Sequence, residues 1–198
     1  LIGVYNKWYE QEMGAKINWR NFNDGGEMMA AMASGNIQIG YAVGMTPFII
    51  ALSKGLPLTL ISCNMDVDEI DNFVAKNGSN IESPADLVGK KLGVPFGSNC
   101  YFKVKSVLKV FRIQENEVQL LDMAGPDIVA AFKRGDIDVG FIWQPFMGEL
   151  LNDGYKILEA RDIGRWGFGV YDVGVVNSKF LEENRDMVVK FIRATEIS

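Results

Sequence analysis

The stretch Gly25-Gly26-Glu27-Met28-Met29-Ala30-Ala31-Met32-Ala33-Ser34-Gly35-Asn36-Ile37-Gln38-Ile39-Gly40-Tyr41 returns one hundred positions later, without a gap, as Gly125-Pro126-Asp127-Ile128-Val129-Ala130-Ala131-Phe132-Lys133-Arg134-Gly135-Asp136-Ile137-Asp138-Val139-Gly140-Phe141. Gly25/Gly125, Ala30/Ala130, Ala31/Ala131, Gly35/Gly135, Ile37/Ile137 and Gly40/Gly140 are identical pairs. Solenoid repeats recur at much shorter periods, so two copies this far apart point to two similar lobes. Each copy reads as a glycine opening a short apolar helix. Gly35 or Gly135 ends that helix, being suited to the left-handed conformation at a helix stop. The polar–apolar alternation that follows, Asn-Ile-Gln-Ile-Gly or Asp-Ile-Asp-Val-Gly, predicts a strand.

The repeat extends outward. Residues 17–22 (INWRNF) and 118–123 (VQLLDM) read as strands ahead of the two helices. Thr46-Pro47-Phe48 and Gln144-Pro145-Phe146 follow the second strands and open further helices, with proline in the first turn, where its missing N–H costs nothing. Residues 99–113 (NCYFKVKSVLKVFRI) predict a helix preceded by the strand Lys91-Leu92-Gly93-Val94-Pro95. The matching helix in the first copy is 1–13, ended by Gly14. By symmetry a strand is expected ahead of residue 1, so a chain trimmed at its start is expected.

Helices are also predicted over 45–54 and 182–195, with a capped short helix after Ser83-Pro84. Residues 56–62 (LPLTLIS) and 171–177 (YDVGVVN) predict strands, the first apolar on both faces, and 72–76 a shorter one. The acidic stretch 64–71 and the glycine-rich 162–169 (DIGRWGFG) read as a polar connection and a loop. Alternating strands and helices give an α/β fold with mostly parallel sheets. The predicted architecture is two similar lobes joined by two crossings, a hinged clamshell, trimmed at both ends. Residues 1–72 form the first part of lobe one, 73–168 lobe two, and 169–198 the return segment of lobe one.

Composition narrows the function. The net charge of −5 leaves no basic footprint for nucleic acid. No apolar run is long enough to span a membrane, and no basic-then-apolar leader opens the chain. Two cysteines, Cys63 and Cys100, make no disulfide framework and read as buried or semi-buried thiols. Histidine is absent, which removes Ser-His triads and most zinc sites. No metal-ligand spacing, Walker loop or nucleophile elbow occurs, so neither a metal nor another cofactor is expected.

Parallel sheets bind ligands beyond the carboxyl ends of their strands. The loops there hold Asn23, Gly25, Met45, Thr46, Ser98, Asn99, Cys100, Pro126, Trp143 and Gln144, and each opens a helix whose free N–H groups suit an anion. Ordinary helix capping explains any one such loop; five at matching strand ends favour a site. Asp172 lies in the apolar stretch 169–176, and a buried carboxylate needs a cationic partner. Arg165 or another protein base is one candidate and a ligand ammonium the other, with Trp143 and Trp166 able to flank a cation or to serve as core. On the first crossing Asp68, Glu69 and Asp71 read as solvated, with Asp71 the best exception.

The motifs Trp19-Arg20-Asn21-Phe22-x-x-Gly25, Ala33-Ser34-Gly35-Asn36-Ile37-Gln38-Ile39-Gly40, Asp86-Leu87-Val88-Gly89-Lys90-Lys91-Leu92-Gly93-Val94-Pro95-Phe96, Arg134-Gly135-Asp136-Ile137-Asp138 and Trp166-Gly167…Asp172-Val173 resemble the taurine-binding periplasmic components of ABC importers. These belong to the wider aliphatic sulfonate, nitrate and thiamine-precursor group of solute-binding proteins. The resemblance implies a bilobal, non-enzymatic protein that closes on a small zwitterion such as taurine and delivers it to a membrane ABC permease. It implies that 97–100 and 45–47 hold the anionic head, and that Asp172 takes the amine. The chain departs from taurine binders in having Gly97-Ser98-Asn99-Cys100 and Met45-Thr46 where those are richer in hydroxyls. That admits an amino-carboxylate, another alkanesulfonate or a thiamine precursor as ligand. A leader and further C-terminal helices are family features not found within these residues. A periplasmic or lipid-anchored extracellular monomer is expected. The effector-binding domain of a transcription regulator shares the architecture and is the rival class; an enzyme making a thiamine precursor would ordinarily need histidine.

Overall fold

Local signals set the element boundaries in the computed structural model, which describes residues 2–66 and 71–196. The quoted repeat is visible as two matching pairs. Helix α3 (Gly25–Ala33) leads to strand β1 (Ile39–Gly44), and α6 (Gly125–Arg134) to β6 (Val139–Trp143). Gly35 and Gly135 take φ of 76° and 83°, the left-handed conformation the sequence assigned them. Ahead of these pairs stand α1 (Ile2–Tyr5) and α2 (Trp8–Met13) in one half and β4 (Lys91–Val94), α5 (Asn99–Val110) and β5 (Gln119–Asp122) in the other. The remaining elements are α4 (Met45–Ser53), β2 (Leu58–Asp66), β3 (Asp71–Lys76), α7 (Phe146–Leu150), β7 (Gly154–Glu159), α8 (Ala160–Ile163), β8 (Tyr171–Asn177), α9 (Ser178–Glu183) and α10 (Arg185–Glu196).

The chain divides into two units. The first comprises Leu1–Val43, Phe48–Asn64 and Val173–Ser198; the second comprises Gly44–Pro47 and Met65–Asp172. The divisions thus fall at 64/65 and 172/173, where the sequence placed them at 72/73 and 168/169, and the turn Gly44–Pro47 goes with the second unit.

In the second unit the strand order is β5-β4-β6-β3-β7. β4 pairs parallel with β5 and β6, while β3 runs antiparallel to both β6 and β7, so the sheet is mixed. Alternation along the strands sorts side chains onto two faces. Phe73, Ala75, Leu92, Val94, Val139 and Phe141 face one layer with Cys100, Val104, Val107 and Leu108 of α5. Val74 and Ile142 face the other with Ile128, Val129 and Phe132 of α6 and Met147 and Leu150 of α7. Phe73 and Phe141 stack with centroids 4.3 Å apart. Covering both faces makes β3 buried throughout Asp71–Ala75, which a continuous apolar run would signal and this polar-headed strand only half does.

The first unit carries the three-stranded sheet β1-β8-β2. Tyr9 and Met13 of α2 pack against Phe191 and Ala194 of α10. Those two residues of α10 stand at i and i+3, on one side of the helix.

Several expectations are corrected. Residues 17–22 form no strand: β1 is the outer strand of its sheet among the described residues, and an extended segment without a hydrogen-bonded neighbour remains irregular. Residues 162–169 are not a loop, since α8 continues into a π-helical turn Gly164–Phe168, kinked at Gly167, whose φ is 90°. The first helix is broken at Lys7, which sits at φ 58°. The last is split at Asn184 into α9 and α10. β2 is not apolar-buried on both faces, because Leu60 is exposed. Cys63 is exposed, not buried. Asp68 and Glu69 lie outside the described residues.

Candidate functional site

The loop after β4 turns at Gly97, whose φ of 72° suits a residue without Cβ. Ser98 then caps α5: its Oγ accepts from the Tyr101 N–H at 3.2 Å and donates to the Pro95 carbonyl at 2.6 Å. With Ser98 spent on the cap, the next N–H groups, of Asn99 and Cys100, have no partner within the helix. Asn99, the first helical residue, is buried. Its Oδ1 accepts the Thr46 N–H at 3.0 Å. Its Nδ2 donates to the Tyr171 carbonyl and to Asp172 Oδ1, both at 3.3 Å. The second unit therefore brings together the turn at Thr46, the amino end of α5 and the start of β8.

Burial, and then the neighbouring Asp71 carboxylate, pushes the Asp172 carboxyl up to about 6, with the Lys103 ammonium opposing the rise. Arg165, the protein base named as a candidate partner, pairs instead with Asp162 at 3.1 Å, and the protein base that does act on Asp172 is Lys103. Beneath lies a buried ion pair. Lys103 Nζ stands 3.3 Å from Asp71 Oδ2, and the Cys100 thiol donates to that oxygen at 3.6 Å. Burial foremost, and then Asp71, drives the Cys100 thiol well above its usual range, so it stays protonated. Asp71 is thus buried and paired, as the best exception among the first-crossing acids. Lys103 is the residue sequence reasoning missed. Its signal was position: Cys100, Lys103, Val104 and Val107 share one helical stripe, and a lysine there must be buried with a counter-charge.

The other expected site residues are distributed as follows. Met45 starts α4 beside Thr46 and is half-buried. Trp143 ends β6, opposite Asp71 in the β3 register, and packs against both core layers. Gln144 bends back, its Oε1 accepting the Gly148 N–H at 3.2 Å. Pro126 is exposed in the first turn of α6. Trp166 is partly exposed, and its ring lies 6.0 Å from that of Phe111, just past the end of α5. Asn23 and Gly25 belong to the first unit. Asn23 donates its backbone N–H to Glu27 at 3.0 Å, and Gly25 opens α3 behind the capping Asp24. That unit has its own cavity of about 400 Å³, lined by residues 16–20, Phe22 and 36–41 among others, and neither Asn23 nor Gly25 lines it. Among the described residues no group of acidic or cysteine side chains is arranged for a metal ion, and no helix is long and apolar enough to cross a membrane.

N–H groups at one end and a half-buried carboxylate at the other suit a small molecule bearing both an anion and a cation. The NMT1/THI5 like family model matches residues 3–198. The taurine-binding periplasmic protein of Escherichia coli is 32% identical over 186 residues, covering 94% of this chain and 57% of its own length. A putative aliphatic sulfonates-binding protein of Bacillus subtilis is 27% identical over 200 residues, covering 98% and 58%. The chain thus spans a little over half the length of these curated relatives. In fold it superposes on the periplasmic aliphatic sulphonate binding protein SsuA of Escherichia coli with a TM-score of 0.82 at 23% identity, over 98% of this chain and 67% of that one. The repeat, the mixed sheet and the matched span lead to one assignment: the chain belongs to the NMT1/THI5-like family.

Proposed function

We propose that this chain is the ligand-binding part of a periplasmic solute-binding component of an ABC importer, taking a small sulfonate of the taurine type. One observation carries the reading. Thr46 N–H and the Asp172 carboxylate are held by the two ends of one short amide, so a hydrogen-bond donor for an anion and an acceptor for an ammonium stand a small molecule's length apart. In this reading Thr46 N–H and the free N–H groups at the start of α5 hold the sulfonate, where helix polarity favours negative charge. Asp172 holds the ammonium. The binding proteins of taurine and aliphatic sulfonates among its relatives support the ligand class. The chain binds without turning its ligand over, works as a monomer in the periplasm and hands the ligand to a membrane permease.

Isothermal titration of the protein with taurine, ethanesulfonate and γ-aminobutyrate tests this. Taurine is expected to bind best, with ethanesulfonate weaker for want of the amine. Tight ethanesulfonate binding equal to taurine would discard the Asp172 role and keep the anion site. Binding of γ-aminobutyrate above both would replace sulfonate by carboxylate, and no heat with either sulfonate would sink the reading.

A further inference from the structure

We propose that the Asn99 side chain is a resident occupant of both poles of this site, which an incoming zwitterion has to displace. The inference rests on the preceding reading and deepens it. A primary amide is a neutral dipole with an acceptor at one end and two donors at the other. Here the acceptor end meets the Thr46 N–H at 3.0 Å, and the donor end meets Asp172 Oδ1 and the Tyr171 carbonyl at 3.3 Å. The partners fix the orientation of the amide, because an N–H on one side and two oxygens on the other accept only this sense. A sulfonate oxygen and an ammonium would present the same acceptor–donor order to the same two groups, each with a full charge.

The amide is not needed by its own helix. Ser98 supplies the cap of α5, through Oγ and the Tyr101 N–H. Nor is the approach incidental. A Cβ on Gly44 would fall 3.0–3.1 Å from the Asn99 Cγ, Nδ2 and Oδ1 atoms, so a glycine there leaves room for the amide. The arrangement keeps Thr46 N–H and the half-buried Asp172 hydrogen-bonded when no ligand is bound, where an unsatisfied buried group would be costly. A sulfonate would make the bond from Thr46 N–H charge-assisted, and an ammonium would turn the hydrogen bond at Asp172 into a full ion pair, so a molecule charged at both ends can displace the amide. A neutral polar molecule of the same length gains nothing by the exchange. Asn99 is thereby a specificity-determining residue that raises the threshold for binding.

The test compares wild type with Asn99→Ala by titration with taurine, and by hydrogen exchange of the Thr46 amide in the ligand-free protein. Asn99→Ala is expected to bind taurine about tenfold more tightly, the factor of one hydrogen bond of ordinary net strength. Its Thr46 amide should exchange about tenfold faster. Unchanged or weaker taurine binding in Asn99→Ala overturns the inference, since Asn99 would then be a ligand contact or a bystander. So does unchanged Thr46 exchange. If a melting scan shows Asn99→Ala unfolded, Asn99→Ser, too short to reach both poles, decides on the same readouts. Wild type binding taurine while the variant binds it no better would fell this inference alone; failure of every sulfonate on both proteins would fell the proposed function with it.

Discussion

Asp172 shows how one carboxyl couples ligand choice to acidity. Its folded value of about 6 lies above the ordinary 3.8, so over that interval the folded protein holds a proton the unfolded chain releases. For this group, stability therefore falls as pH rises from 3.8 towards 6 and is fully lost only above the folded value. Two outcomes follow. In the ligand-free protein Asp172→Asn should raise the melting temperature near neutral pH relative to wild type, read by a calorimetric scan. With taurine the same change should cost ~1.5–3 kcal/mol of affinity, the range for a hydrogen bond to a charged group, while ethanesulfonate affinity holds. Because an ammonium needs the ionised carboxylate, taurine affinity should also drop on acidification through about 6, and ethanesulfonate affinity should not. At this scale the sequence marked Asn99 and Thr46 through their placement at strand ends, and Asp172 as a carboxylate in an apolar stretch. It left open which cation answers Asp172, because 162–169 read as a loop, where the i, i+3 pairing of Asp162 with Arg165 is not expected.

At the scale of elements, α5 and β3 are joined by the Lys103–Asp71 pair, in which neither side chain meets solvent. Removing one partner leaves a buried charge without its counter-charge. Lys103→Met should destabilise by about 3–5 kcal/mol, and the double variant with Asp71→Leu by less, as measured by urea unfolding of all four proteins in the cycle. β7 lies so close to β3 that a Cβ on Gly154 would fall 2.5 Å from the Ala75 carbonyl oxygen, a backbone atom that cannot step aside. Gly154→Ala should therefore cost about 1–3 kcal/mol in the same assay, the range for overpacking. Elements with a local cause were legible: Ser83-Pro84 announced its capped turn, and Gly135 the end of α6. Residues 17–22 were misread because a strand is a property of two segments, and alternation in one of them does not supply the other.

For the molecule as a whole, the exact hundred-residue offset made the duplication plain, and the duplication carried the fold class. The strands differ in burial and in place. β3 is buried from Asp71 to Ala75 with a strand on either side, while β1 is outermost in its sheet among the described residues and has exposed positions. Native-state hydrogen exchange should accordingly find the amides of β3, β4 and β6 slowest and those of β1 faster by at least tenfold. What the sequence could not rank was this difference between inner and outer strands, since 17–22 and 118–123 look equally suited to pairing.

The order β1-β8-β2 has a consequence for how the protein is made. Its central strand is written last: β1 and β2 leave the ribosome early, but β8 begins only at Tyr171. The second unit, apart from Gly44–Pro47, is encoded by one uninterrupted run that ends just as the first unit's return segment begins. Domains fold as their residues emerge. During translation the earlier-written half must therefore wait, its two outer strands apart, while the later-written half is already able to close around its own core.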